Sequence, residues 1–218
     1  MVIALLNRQG KVYGQPPLTL RLARPYLDRA EFFSLMNGEV YAQDIVKGND
    51  LAPQAGSPSA SITPWGKSLY FEGSASHLQS ARNIANLATF TVMAWVRPAA
   101  LNTGYARILE TDYATGFYLG GNVASKYAWI INNSTLEGCI GGQQVVGQRD
   151  FVCGTFDGTN RLLYVNGVLV GSSTATATSA NTKLNVGRIV GSFIWNGEID
   201  TVGIFSGAFS ANTVWQIY

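Results

Sequence analysis

The chain has 218 residues, of which only 13% are charged, a length at which one large domain closes a full core without metal or disulfide staples. Its 24 glycines, 10 tyrosines and 10 phenylalanines suit short strands and tight turns and exclude a helical bundle. The net charge of +2 is local: Arg8, Lys11, Arg21, Arg24 and Arg29 stand against Asp28 and Glu31, leaving ten basic and eleven acidic residues elsewhere, and a near-neutral body without a Lys/Arg stripe excludes a nucleic-acid-binding protein.

The first apolar run, residues 2–6, is too short for a signal-peptide core or a bilayer span, so neither export nor a membrane is expected. Residues 1–37 include Pro16-Pro17, then Leu18, Leu20 and Leu22 alternating with Thr19 and Arg21, then Tyr26 and Phe32-Phe33. They read as an extended, basic, partly apolar N-terminal arm. Such an arm can add a strand to a neighbour's sheet or pack as an edge strand on its own domain.

Strand signals follow at 68–72 and at 90–96. The second carries apolar residues on both faces, which predicts a central strand covered on two sides, with Trp95 in the core. Further strands are predicted at 106–111, 116–119 and 128–132. Asn132 and Asn133 head overlapping sequons and read as loop residues, because glycosylation requires export. The pairs Gly120-Gly121 and Gly141-Gly142 read as turn glycines. Cys139 and Cys153 could face each other across adjacent strands, but two thiols in a chain this long read as buried small residues.

Phe151 to Phe156 ends in Asp157-Gly158, and Asn166-Gly167 sits between two apolar runs, so a hairpin and a three-stranded meander are predicted. Strands at 184–190 and 197–205 come next. Ser210 then caps a short helix with Val214, Ile217 and Tyr218 on one face. Short strands separated by Gly, Asn, Ser and Thr clusters predict an all-β fold, a jelly-roll β-sandwich of two antiparallel sheets over residues 38–218.

The run Gly66 to Gly73, Phe90 to Pro98, Thr155-Phe-Asp157-Gly158, Leu163 to Gly167, Leu184 to Gly187, and Asn196 to Phe205 with a closing Phe209-Ser210 occur in a distinctive order. Together they resemble the laminin-G-like domains of the concanavalin A-like lectin and glucanase superfamily. The resemblance implies ligands at the concave face or the rim loops. Some relatives hold calcium near the rim through an acidic residue at the position of Glu72 or Asp200, so calcium at these two is what the resemblance implies.

The superfamily also contains glycosidases, in which Glu-Ile-Asp is followed two or three positions later by a second Glu that completes a pair about 5 Å apart. Here Glu198-Ile199-Asp200 is followed by Val202 and Gly203, which cannot transfer a proton. The chain is therefore expected not to be an enzyme. His77, the only histidine, has no nucleophile elbow to serve and reads as a surface residue. For a glycan-binding domain the candidate platforms are the aromatic residues near predicted turns, Tyr105, Tyr113, Tyr127 and Trp195, with Asp112, Asn132 and Asn133 as polar partners.

Two functional classes follow. In the first, the chain is a non-catalytic display or adhesion component of a phage virion, a capsid decoration or fibre made in the host cytoplasm. Its arm docks it to other virion proteins or to further copies of itself, and its sandwich meets cell-surface glycans. In the second, it is a carbohydrate-binding module of a bacterial extracellular protein, with a glycoside hydrolase as the lesser alternative.

Overall fold

The computed structural model describes residues 24–36, 42–54, 56–84, 86–102, 104–112, 114–132, 139–178, 181–187 and 193–218. Two antiparallel sheets stack as a sandwich. The first contains β1 (Ala30–Leu35), β3 (Ser59–Thr63), β4 (Gly66–Glu72), β6 (Phe90–Pro98), β11 (Asp150–Phe156), β12 (Asn160–Val165), β13 (Val168–Thr174) and β15 (Asn196–Ser206). The second contains β2 (Leu51–Pro53), β5 (Leu78–Asn83), β7 (Arg107–Glu110), β8 (Phe117–Gly121), β9 (Lys126–Ile131), β10 (Cys139–Gln143) and β14 (Lys183–Val186). Their orders are β13-β12-β11-β6-β15-β4-β3, with β1 also paired to β15, and β10-β9-β8-β7-β14-β5-β2. Among the described residues, no helix is long and apolar enough to cross a membrane.

The predicted central strand is β6, whose alternation serves two cores. Val92, Ala94 and Val96 face the opposite sheet, where they join Phe71, Trp129, Trp195, Ile199 and Val202. Met93 and Trp95 point outward and pack with Phe33, Phe151, Phe205, Phe209, Val214 and Ile217. Outward burial is possible because helix α1 (Ala211–Ile217) and the 3-10 turn Arg24–Arg29 lie over that face. Ser210 caps α1 by accepting from the Thr213 amide at 3.2 Å, as its sequence position predicts.

The meander β11-β12-β13 forms as expected. Asn166 and Gly167 take φ of 51° and 76°, the positive values required at both central positions of a two-residue hairpin turn.

Of the two readings of the arm, its described part, residues 24–36, follows the second, a strand packed on its own domain: β1 pairs with β15 from Ala30↔Phe205 to Leu35↔Thr201 and buries Phe32 and Phe33, so the sandwich begins before residue 38; residues 1–23 and 37 lie outside the described residues. Two further expectations are corrected. Gly120, Gly121 and Gly141 are strand residues instead of turn residues. A Cβ on them would collide with the carbonyl oxygens of Ala106, Asn102 and Val170 respectively, so close backbone approach requires glycine there. His77 is buried, at 4% exposure.

Gly154 on β11 shows the same constraint inside the core, where the Trp129 indole lies against its Cα and donates from Nε1 to the Thr155 carbonyl at 3.1 Å. Gly154→Ala should cost about 1–3 kcal/mol, lowering Tm by roughly 2–4 °C per kcal/mol in a domain of this size. A thermal melt at the wild-type value would show that the indole has room to move.

Candidate functional site

The residues expected to bind ligand do not converge. Tyr127 and Trp195 are fully buried, Tyr127 between the sheets with its hydroxyl donating to Asp150 Oδ2 at 2.8 Å. Burial and the neighbouring Asp150 push that hydroxyl's pKa far up. Neither ring is a surface platform, because an aromatic residue beside a turn is also the residue that best fills the core there. Tyr105, at φ 65°, turns edge-on to Phe193 and packs with Tyr118, Ala128 and Ile130. Asp112 caps its own turn, accepting from the Ala114 and Thr115 amides at 2.9 and 2.8 Å. The Asn132 amide donates to the Thr176 and Ala177 carbonyls at 3.1 and 2.6 Å, tying two loops together. Tyr113 and Asn133 lie outside the described residues.

The two metal candidates also stand apart. Glu72 accepts from Ser74 and Ser76 hydroxyls at 2.7 and 3.2 Å and pairs in register with Asn196, four positions along β15 from Asp200 or about 13 Å. Asp200 is held by an arginine. Among the described residues no three His, Cys, Asp or Glu side chains cluster, and calcium needs six to eight oxygens. The donor set does not fit the implied ion.

The cysteines lie on different sheets, Cys139 inside the sandwich and Cys153 on the outer face of the first sheet. Burial raises both thiol pKa values, that of Cys139 to about 12.

On the second sheet's outer face, the Arg107 guanidinium lies 3.6 Å over the Tyr118 ring and pairs with Glu110. All three residues are buried, so among the described residues this cluster offers no open platform.

An open groove lies instead on the outer face of the first sheet, beside the part that α1 covers. It begins at the turn between β3 and β4. There Thr63 Oγ1 accepts from the Trp65 amide at 3.2 Å and donates to the Gly66 carbonyl at 2.9 Å, and the indole is left 52% exposed. The Arg149 guanidinium lies 5.7 Å from the Trp65 ring and 3.7 Å from the Trp95 ring. Trp95 stacks on Tyr218 at 5.8 Å, and Tyr218 meets Trp215 at 5.7 Å. The result is a row of four rings and one guanidinium. Tyr218 and Trp215 are 42% and 57% exposed, and the groove between Trp65 and Tyr218 measures about 410 Å³.

Acidic groups from β15 form the floor. β15 bulges between Ile199 and Thr201 as it runs along β6, and the extra residue is Asp200. A bulge re-aims the side chain that it inserts, here towards Arg149, whose Nε and Nη2 donate to Asp200 Oδ2 at 2.9 and 2.6 Å. Glu198 faces the same way, accepting from Arg97 Nη1 at 3.1 Å and from Ser61 Oγ at 2.8 Å. Arg97 in turn donates from Nε to the Gly147 carbonyl at 2.8 Å, which fixes the loop leading to Arg149. Burial pushes the Asp200 carboxyl above the usual aspartate range, against the pull of Arg149. The sequence signals that were available are Trp65 in a Pro-Trp-Gly turn and Trp215 off the buried face of α1.

The Laminin_G_3 family, described as concanavalin A-like lectin/glucanases superfamily, matches residues 72–214. No curated protein sequence matches the chain. Among solved structures, the chain is similar to domain 4 of AbnA, a GH43 extracellular arabinanase from Geobacillus stearothermophilus, in complex with arabinotriose, with TM-score 0.68 and 17% identity over 87% of this chain and 98% of that one. It is also similar to the binding domain of Paraclostridial mosquitocidal protein 1, with TM-score 0.65 and 14% identity over 88% and 52%. A third is the binding domain of botulinum neurotoxin DC in complex with SialylT, with TM-score 0.61 and 14% identity over 87% and 50%. The chain thus spans nearly the whole arabinanase domain and about half of each toxin domain. At these identities the likeness is one of fold, and function resides in the site.

Arg149→Ala would leave the Asp200 carboxylate without its guanidinium, and we expect a loss of about 2 kcal/mol at pH 7, less than for a fully buried pair. The sign with pH follows from the raised pKa of Asp200, which rises further in the variant. The folded state then holds its proton more tightly than the unfolded chain does, so the loss is small near pH 4 and grows as pH rises through the folded value. Urea melts of both proteins at pH 4 and pH 7 measure this, and an equal loss at the two pH values would remove the ion pair as its cause.

Proposed function

The chain belongs to the concanavalin A-like lectin/glucanase superfamily, and from that premise we propose that it is a non-catalytic protein of surface display or adhesion whose outer groove binds glycan. The observation that carries this reading is the row Trp65, Arg149, Trp95, Tyr218 and Trp215. Exposed rings bind the apolar faces of sugars, and polar groups beside them take the hydroxyls. The arabinotriose in the complex of the similar arabinanase domain supports the same class of ligand.

The non-catalytic part is supported by the floor of the groove. Glycoside hydrolysis requires one carboxyl to give a proton while another attacks or activates water. Here Glu198 and Asp200 are each engaged by an arginine, and the next residues along β15 are buried Thr201 and Val202 and then Gly203. A phage virion is the setting that the sequence reading favours for the display role.

On a glycan array the wild type should bind, and Trp65→Ala should lose at least about tenfold in affinity, the equivalent of ~1.4 kcal/mol, with an unchanged melt. Undiminished binding by the variant would reject the groove. A β-glucan cleaved by the wild type and spared by Glu198→Gln would reverse the non-catalytic assignment. Copurification of the chain with particles tests the virion setting.

A further inference from the structure

The charges that line the groove cancel in pairs. Arg97 is matched by Glu198 at 3.1 Å, and Arg149 by Asp200 at 2.6 Å. Arg149 lines the open groove itself, and Arg97, Glu198 and Asp200 join it around the small void of the floor; among the described residues lining the two, no other charged side chain is present. Arg149 is also held over the Trp95 ring at 3.7 Å, so turning it towards an incoming anion would sacrifice both contacts.

Two neutral polar atoms of the same floor are buried without a hydrogen-bond partner among the described residues, Ser68 Oγ and Trp95 Nε1, in residues that are 1% and 8% exposed. Both residues line a void of about 10 Å³ together with Glu198 and Asp200, room for one water-sized group. An unpaired buried polar group is costly, so native structures seldom leave one without a role.

Resting on the glycan reading above, we infer that the groove selects neutral, hydroxyl-rich sugars and seats one ligand hydroxyl in the void beside Ser68 and Trp95. A hydroxyl both donates and accepts, so it can take the indole N–H and give its own proton to the serine oxygen. A carboxylate or sulfate oxygen could accept from both the indole N–H and the serine O–H, so the discrimination comes from charge. In the void it would lie against Glu198 and Asp200 with both neutralising cations already engaged, a like-charge approach that disfavours the acidic ligand.

The test uses the full chain with matched oligosaccharides: galactosyl oligosaccharides with and without terminal sialic acid, and gluco-oligosaccharides beside their glucuronate counterparts. We expect the neutral member of each pair to bind at least tenfold more tightly. Ser68→Ala should weaken it about fivefold with Tm unchanged. Asp200→Asn, which leaves Arg149 uncompensated, should move the preference towards the acidic member. Equal or tighter wild-type binding of the acidic sugars overturns this inference and leaves the glycan reading standing, as does full affinity in Ser68→Ala. Binding of no sugar in either set, or of a protein receptor alone, removes the glycan reading and this inference together.

Discussion

The division of β15 between its neighbours is the constraint on which both the fold and the site depend. One edge of β15 pairs with β6 from Gly197 to Ser206. The other edge is shared, with β4 over residues 196–199 and β1 over residues 201–205. Asp200 falls at the junction, where its carbonyl accepts from the Met36 amide at 2.7 Å. An extra residue at a point where one partner strand gives way to another leaves the rest of the ladder in register. Because that residue is an aspartate, its side chain leaves the sheet on the outer face and meets Arg149. The same irregularity that accommodates three neighbours also supplies half of the groove floor.

The second constraint is the double use of aromatic residues. Rings on β6, β11 and β15 bury an outer face that in many sandwiches meets water, and the short helix α1 completes the cover with Val214 and Ile217. Beside the helix the cover is partial. Trp95 is 8% exposed, whereas Trp65 and Trp215 are more than half exposed. The groove is thus the open margin of a hydrophobic layer, and its rigidity derives from the packed part of that layer.

Much of the fold was legible in the sequence. The Asn166-Gly167 turn, the two-faced strand containing Trp95 and the Ser210 cap each rest on a local rule, and each forms. The short strands β2, β3 and β5 were not legible, since their pairing comes from partners far along the chain and not from their own pattern. The glycine pairs misled for a related reason: Gly120 and Gly141 answer to backbones in other strands, which composition alone cannot reveal. For the site, the sequence Glu198-Ile199-Asp200 drew attention to two neighbouring carboxylates, and both line the void in the groove floor. Their arginine partners were not visible, because Arg97 and Arg149 arrive from β6 and from a loop about 100 and 50 positions away respectively. Tyr127 and Trp195 were read as platforms because nearness to a turn was taken for exposure, whereas both point between the sheets.

The pairing of β1 with β15 has a consequence for biosynthesis. Ala30 meets Phe205, so the phenylalanines of β1 leave the ribosome long before the strand that shelters them. At ordinary translation rates of about 5–20 residues per second, that interval is on the order of ten to thirty seconds. During it Phe32 and Phe33 lack the strand that buries them, and transiently exposed apolar surface of this kind is what chaperones or early collapse shield from aggregation.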